Sequence, residues 1–245
     1  MTNKSNETES LLIFLHIPKT GGTTLSTIIR NQYKENEFKK TNLQELQKFS
    51  EEDLGRLKCI AGHGYFGVHE YFNRSCSFFT MVRDPVDRVL SNYYFIKRRK
   101  DHRDHNKLGN VSLKEFVRDY QDRTFNHQTK RLSGPGVPSL EAAKENLERY
   151  FTIVGVTDEF DESLFLMKKE FNWSDISYKI KNSTENRPSI AEVPKDIINY
   201  IKEMNQLDIA LYQWVKKKHQ KKIQNLSGKL KKELNHFLQG QKNSN

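Results

Sequence analysis

The 245-residue chain has only two cysteines, Cys59 and Cys76, which excludes a disulfide framework and any Cys-x-x-Cys metal or redox pair. Both are expected to be thiols of a reducing compartment. No Pro-, Gly- or Ser-rich linker divides the chain, and it has no internal repeat or collagen-like tract. A single substantial core is therefore expected. No apolar run approaches the roughly 20 residues a membrane helix needs. The polar opening MTNKSNETES also lacks the basic start and long apolar core of a signal peptide. These absences lead to the expectation of a cytoplasmic protein with no transmembrane segment. H-E-x-x-H and carboxylate clusters at ligand spacing are missing too, so no metal is expected. Without a helix-turn-helix, zinc-finger or RNP signature, nucleic acid is not an expected partner.

What the chain does contain is concentrated in a few segments. Residues 11–25 read LLIFLHIPKTGGTTL, an apolar run, a glycine-containing loop and the start of a helical pattern. Gly21 and Gly22 lack a Cβ and let the backbone turn sharply and approach a ligand closely. The free N–H groups of the following helix then point at the contents of the loop. Lys19 adds a cation, and Thr20, Thr23 and Thr24 add hydroxyl donors, making a cradle for a phosphate or sulfate group. The nucleotide-binding P-loop, G-x-x-x-x-G-K-[ST], is not matched, because Lys19 precedes the glycines.

Residues 77–100 read SFFTMVRDPVDRVLSNYYFIKRRK. The run 77–82 predicts a short buried strand. Asp84 as N-cap and Pro85 at the first helical position then predict a helix start. Val86, Val89, Leu90, Tyr93 and Tyr94 recur at helical spacing and supply its buried face. Arg83 thus falls at a strand's C-terminal end beside a helix N-terminus, where open α/β sheets bind ligands. Ser91 lies two turns further on. An arginine there forks two phosphate oxygens while the serine hydroxyl reaches a third. The competing reading of Arg83 is an ion pair with Asp84 or Asp87.

PKTGGTT followed by RDPVDRVLS resembles the 5′-phosphosulfate loop and 3′-phosphate motif of sulfotransferases that use 3′-phosphoadenosine 5′-phosphosulfate (PAPS). Within that superfamily, HIPKTGGTTL is similar to the branch of heparan sulfate 2-O- and 6-O-sulfotransferases and their bacterial relatives. The resemblance continues through Asn126, Gln128, Thr129 and Arg131 in FNHQTKRLSG, through 151–164, through NSTENRP at 182–188 and through LDIALYQW at 207–214. It implies PAPS as donor, bound by Lys19, Thr20, Gly21, Gly22, Thr23, Thr24, Arg83 and Ser91. Arg187, in the loop expected to close over the nucleotide, joins them by the same implication.

The resemblance also implies a base for the acceptor hydroxyl. His63 follows a predicted strand at 57–61 and should share a sheet edge with Lys19 and Arg83. Its ordinary pKa of about 6.5 suits proton acceptance near neutrality. His63 is the first candidate base and His69 the second, the latter alternatively contacting the acceptor or lying on a solvated face with Glu70. His16 is expected to fix the geometry of the loop. Lys19 is expected to assist catalysis by stabilising charge on the leaving group.

Strand patterns near 11–17, 57–62, 77–82 and 150–156 alternate with helical stretches, predicting an α/β, three-layer, P-loop-like fold whose central parallel sheet is flanked by helices. The expected organisation is a flexible N-terminus (1–10), a sulfotransferase domain (11–222) and a basic amphipathic helix with a disordered tail (223–245). In the last segment Ile223, Leu226, Leu230 and Leu234 recur at near-helical spacing, and disorder is expected from Gln239. The net charge of +10 suits an anionic donor and an acceptor that is a glycan or small molecule, an anionic polysaccharide among the candidates. The lack of an N-terminal anchor points to a bacterial cytoplasmic enzyme. Two alternative classes are a P-loop-type kinase or NTPase, and a non-catalytic basic module that binds glycan or nucleic acid.

Overall fold

The computed structural model describes residues 10–178 and 188–244. Five strands, β1 (Leu11–Leu15), β2 (Phe38–Lys40), β3 (Cys59–Gly62), β4 (Cys76–Val82) and β5 (Phe151–Val156), form one sheet in the order β2-β3-β1-β4-β5. Every pairing is parallel. The helices of seven residues or more are α1 (Gly22–Arg30), α2 (Pro85–Arg98), α3 (Leu113–Asp119), α4 (His127–Ser133), α5 (Leu140–Tyr150), α6 (Phe160–Phe171), α7 (Lys195–Met204), α8 (Gln206–Gln224) and α9 (Gly228–Ser244). The α/β fold with a helix-flanked parallel sheet is the one expected from the sequence.

Alternation along β1 divides the core in two, as the two-residue period of a strand requires. Leu11, Ile13 and Leu15 pack with Phe78, Leu147 and Leu211 on one face, while Leu12 and Phe14 pack with Leu25, Ile29, Phe79 and Met167 on the other. A third cluster joins α2 to α3 and α7 through Val89, Tyr93, Phe116 and Ile201. Asp84 caps α2 by accepting from the Asp87 N–H at 2.9 Å, with Pro85 in the first turn.

Strand β2 is absent from the sequence reading. It has three residues, only Phe38 of which is buried, so no periodic pattern marks it. The C-terminal region also departs from expectation. Ile223 ends in α8, Leu226 follows it, and Ser227 starts a separate helix by accepting from the Leu230 N–H. Helix α9 then runs past Gln239 to Ser244, packing Leu234 and Phe237 toward α6. No described helix is long and apolar enough to cross a membrane.

Helices α4 and α8 cap each other. Asp208, fully buried on α8, accepts from the N–H groups of Gln128 (3.0 Å) and Thr129 (2.7 Å) and from the Thr129 hydroxyl (2.7 Å). In return the Asn126 side-chain oxygen accepts from the N–H groups of Leu207 and Asp208, both at 3.1 Å. Four orphan donors at two helix N-termini are satisfied in this way. Removing the carboxylate strands three buried donors. Asp208→Ala is therefore expected to cost about 3 kcal/mol or more. Urea unfolding measures it, and a loss below about 1 kcal/mol would show that the mutual cap contributes little.

Candidate functional site

The strands all end at one edge, and the central strand β1 has β3 on one side and β4 on the other, with chain connections diverging around it. Such a divergence opens a crevice beyond the strand ends. A cavity of about 880 Å³ lies there. That is within the range of small-molecule and nucleotide sites.

The first wall is the turn from β1 into α1. Lys19 (φ 72°) and Gly21 (φ 78°) both adopt the left-handed conformation, and Gly21 is the N-cap of α1. A non-glycine residue pays for such a conformation, so Lys19 is strained where it lines the cavity. Gly22 is required by close approach: a Cβ there would lie 1.9 Å from His16 Nε2. The imidazole of His16 is thus packed against the loop backbone. Gly22, Thr23 and Thr24 line the cavity at the start of α1, adding the positive end of the helix dipole. Lys19 Nζ sits 3.6 Å from the centroid of the Phe95 ring on α2.

Thr20 does not share this wall. Its fully buried hydroxyl donates to the Ile17 carbonyl at 2.9 Å, so the side chain staples the loop internally. The expectation of a Thr20 hydroxyl in the cradle is corrected on that ground.

The second wall is formed where β4 meets α2. Arg83 and Ser91 both line the cavity, so the two-turn spacing brings them together as expected. The guanidinium of Arg83 is also ion-paired with Asp87 (2.5 Å) and donates to the Lys19 carbonyl at 3.0 Å. The ion-pair reading and the cavity reading of Arg83 therefore describe one arrangement. Its backbone is gripped from α4: the Gln128 side-chain oxygen accepts from the Arg83 N–H and the Gln128 amide donates to the Arg83 carbonyl, both at 2.9 Å.

The third wall carries His63, one residue past β3. Its Nδ1 lies 2.8 Å from the His16 carbonyl oxygen. A carbonyl only accepts, so Nδ1 holds the proton and Nε2 keeps a lone pair. The ring stacks on His16 at 4.2 Å, and His16 stacks in turn on Phe14. Desolvation lowers the His63 pKa below 6.5; the bond to His16 opposes this, while the positive charges of Arg131 and Lys40 add to it. Burial, with His63, Lys40 and Lys19 nearby, depresses His16 further. Both imidazoles are neutral at pH 7.

His69 is elsewhere. Its ring packs among Phe66, Phe78 and Tyr150 in the turn Val68–Tyr71, and it does not line the cavity. This separation removes the geometric basis for His69 as second candidate base. Arg187 and most of the 182–188 loop lie outside the described residues.

Several lining residues were not legible in the sequence. Lys40 is the last residue of the unrecognised strand β2, and Arg123 lies outside any motif. Arg88 has no role in the sequence reading, yet it is fully buried and lines the cavity. Its position three residues before Ser91, on the same face of α2, was the available signal. Arg131 stacks its guanidinium 4.2 Å from the Tyr65 ring centroid, beside His63. Counted together, the described lining residues include seven lysines and arginines (Lys19, Lys40, Arg83, Arg88, Arg103, Arg123, Arg131) and one carboxylate, Asp122. A cavity with that imbalance concentrates anions.

Fold and site define an α/β protein with a cation-lined cavity at a helix N-terminus. The family model "Sulfotransferase family" matches residues 6–215, and the chain belongs to this family. It is 24% identical over 280 residues to heparan-sulfate 6-O-sulfotransferase 1 of Cricetulus griseus, covering 88% of this chain and 69% of the relative. Heparan-sulfate 6-O-sulfotransferase 2 of Gallus gallus is 25% identical over 85% of this chain and 66% of its own length. A protein-tyrosine sulfotransferase of Arabidopsis thaliana is 34% identical over a shorter stretch, 36% of this chain and 17% of the relative. The crystal structure of mouse sulfotransferase SULT7A1 complexed with PAP shares the fold, with a TM-score of 0.51 at 12% identity over 84% of this chain and 89% of that one.

The grip of Gln128 on Arg83 gives a direct test. Gln128→Ala removes both bonds from a segment that is otherwise well packed, and a loss of about 1–3 kcal/mol is expected in urea unfolding. Stability within about 0.5 kcal/mol of the unsubstituted protein would show that the segment holds its shape without the amide.

Proposed function

We propose that this sulfotransferase moves a sulfuryl group from PAPS to the hydroxyl of a glycan, with His63 as the base. The observation that carries the reading is one cavity lined together by Lys19, Gly21, Gly22, Thr23 and Thr24, by the Arg83 and Ser91 pair, and by His63. Spacing and charge fit a donor with phosphate groups at both ends of its ribose. Lys19 and the start of α1 would hold the 5′-phosphosulfate, and Arg83 with Ser91 the 3′-phosphate. Here the Arg83 guanidinium keeps its Asp87 partner, which fixes its plane.

The donor supplies an activated sulfuryl group and a bisphosphate leaving group. His63 Nε2 receives the acceptor's hydroxyl proton as its oxygen bonds to sulfur and the sulfur–oxygen bond to the 5′-phosphate breaks. Charge building on the departing phosphate is met by Lys19 and the α1 N-terminus. The rest of the acceleration comes from alignment of donor and acceptor. Beside His63, the Arg131 guanidinium on Tyr65 and the Lys40 ammonium offer an apolar ring face and two cations to the acceptor. That chemistry suits a sugar bearing a carboxylate or sulfate, in keeping with the heparan-sulfate relatives.

Thermal unfolding with adenosine 3′,5′-bisphosphate, 5′-AMP and Mg²⁺-ATP in parallel tests donor recognition. At about 100 times its dissociation constant the bisphosphate should add about 2.7 kcal/mol of stability. A larger shift with Mg²⁺-ATP would replace the reading with a kinase. Arg83→Ala should weaken bisphosphate binding, whereas His63→Ala should abolish turnover and leave that binding nearly unchanged. Retained turnover in His63→Ala would remove His63 from the mechanism.

The pH profile carries a sign. A base whose pKa is lowered stays neutral as pH falls below 6.5 and loses activity only as pH passes through its depressed value. The acid limb of kcat/KM should therefore lie below pH 6.5. A limb centred above 7 would contradict the assignment.

A further inference from the structure

Arg88 is a charge that the described fold does not neutralise. It is fully buried on α2, and its one hydrogen bond among the described residues runs from an Nη to the Arg123 carbonyl at 3.2 Å. Among the described residues its Nε and other Nη have no hydrogen-bond partner. Asp208 is the carboxylate that most favours its charge, but both Asp208 oxygens already accept from α4. Burial, partly offset by Asp208, lowers its pKa to about 10, so it remains a cation at neutral pH. An uncompensated buried cation costs several kcal/mol, and apolar residues of similar volume usually do no worse. Arg88 nevertheless lines the cavity together with Ser91, one helical turn away, and with Arg83.

On the donor reading given above, we infer that Arg88 is a third member of the 3′-phosphate site. Its missing counter-charge is the phosphate that Arg83 and Ser91 hold. The two unpartnered donors are buried in the unliganded fold and hold unused hydrogen-bonding capacity that a local shift toward the cavity would offer to that phosphate, while the bond to Arg123 fixes the guanidinium plane. Arg83 reaches the site paired with Asp87, so much of its charge is already answered. Arg88 then supplies the larger share of unanswered positive charge, and selectivity for a 3′-phosphorylated nucleotide depends on it.

Calorimetric titration of the full chain, as Arg88→Met and Arg88→Lys, with adenosine 3′,5′-bisphosphate and with 5′-AMP tests this. Arg88→Met should raise the Kd for the bisphosphate at least tenfold and that for 5′-AMP less than twofold, and Arg88→Lys should recover part of the loss. An unchanged ratio of the two Kd values, with or without a lower melting temperature, would make Arg88 structural filler and overturn the inference. Should Arg88→Met not fold, the Nε–H resonance of Arg88 in ¹⁵N-labelled protein, assigned by its loss in Arg88→Lys, decides. It should shift with the bisphosphate and not with 5′-AMP, and an unmoved resonance overturns the inference. Failure of the unsubstituted protein to bind the bisphosphate would instead remove the donor reading itself. Binding with an unchanged Kd ratio would remove only the role of Arg88.

Discussion

The contact on which the site depends is the amide of Gln128 against the backbone of Arg83. It behaves as a short piece of sheet: one oxygen and one N–H of a side chain pair with the N–H and C=O of a residue just past β4. Gln128 is itself placed because Asp208 accepts from its N–H, and α8 is placed because Asn126 caps it. The chain of dependence therefore runs from a helix late in the sequence, through α4, to the segment carrying Arg83. None of these groups needs to touch a ligand. Their function is to remove freedom from one that does.

That rigidity matters because the cavity is electrostatically costly. Seven cationic side chains against Asp122 repel one another, and a packed interior holds them at fixed separation. The fold tolerates this by local answers: Asp87 on Arg83, the Phe95 ring under Lys19 and the Tyr65 ring under Arg131. Rings are a partial answer, since a cation over an aromatic face gains far less than a carboxylate would give. The charge left over is what an anionic ligand can use. A site that satisfied every cation internally would bind weakly, because each contact with a ligand would first require breaking an existing one.

How much of this was readable in advance follows from how local each signal is. The glycine loop after β1, the Asp84–Pro85 helix start and the Arg83–Ser91 spacing are determined within a few neighbouring residues, and Lys19, Gly21, Gly22, Thr23, Thr24, Arg83 and Ser91 line one cavity. Lys40 and Arg123 were missed because they reach the cavity only through packing that no short window encodes. Strand β2 exists because β3 offers it an edge, and its own residues specify little. Thr20 shows the opposite error. A hydroxyl between a lysine and two glycines looks like a ligand donor, yet a carbonyl three residues earlier takes it first. His69 was attractive by residue type and proximity in sequence to His63, and the aromatic cluster that holds it is a purely tertiary fact.

The bond from His63 Nδ1 to the His16 carbonyl does more than select a tautomer. It leaves the ring a single proton-accepting site, Nε2, and places behind the ring an imidazole whose burial disfavours accepting a proton. In the proposed reaction Nδ1 faces a carbonyl that cannot accept a proton for onward transfer, so a proton taken up at Nε2 departs by the nitrogen through which it arrived. His63 lines the same cavity that the proposed acceptor would enter. Resetting the base and clearing the product thus become successive uses of one doorway, and the buffer, not the protein interior, completes the cycle.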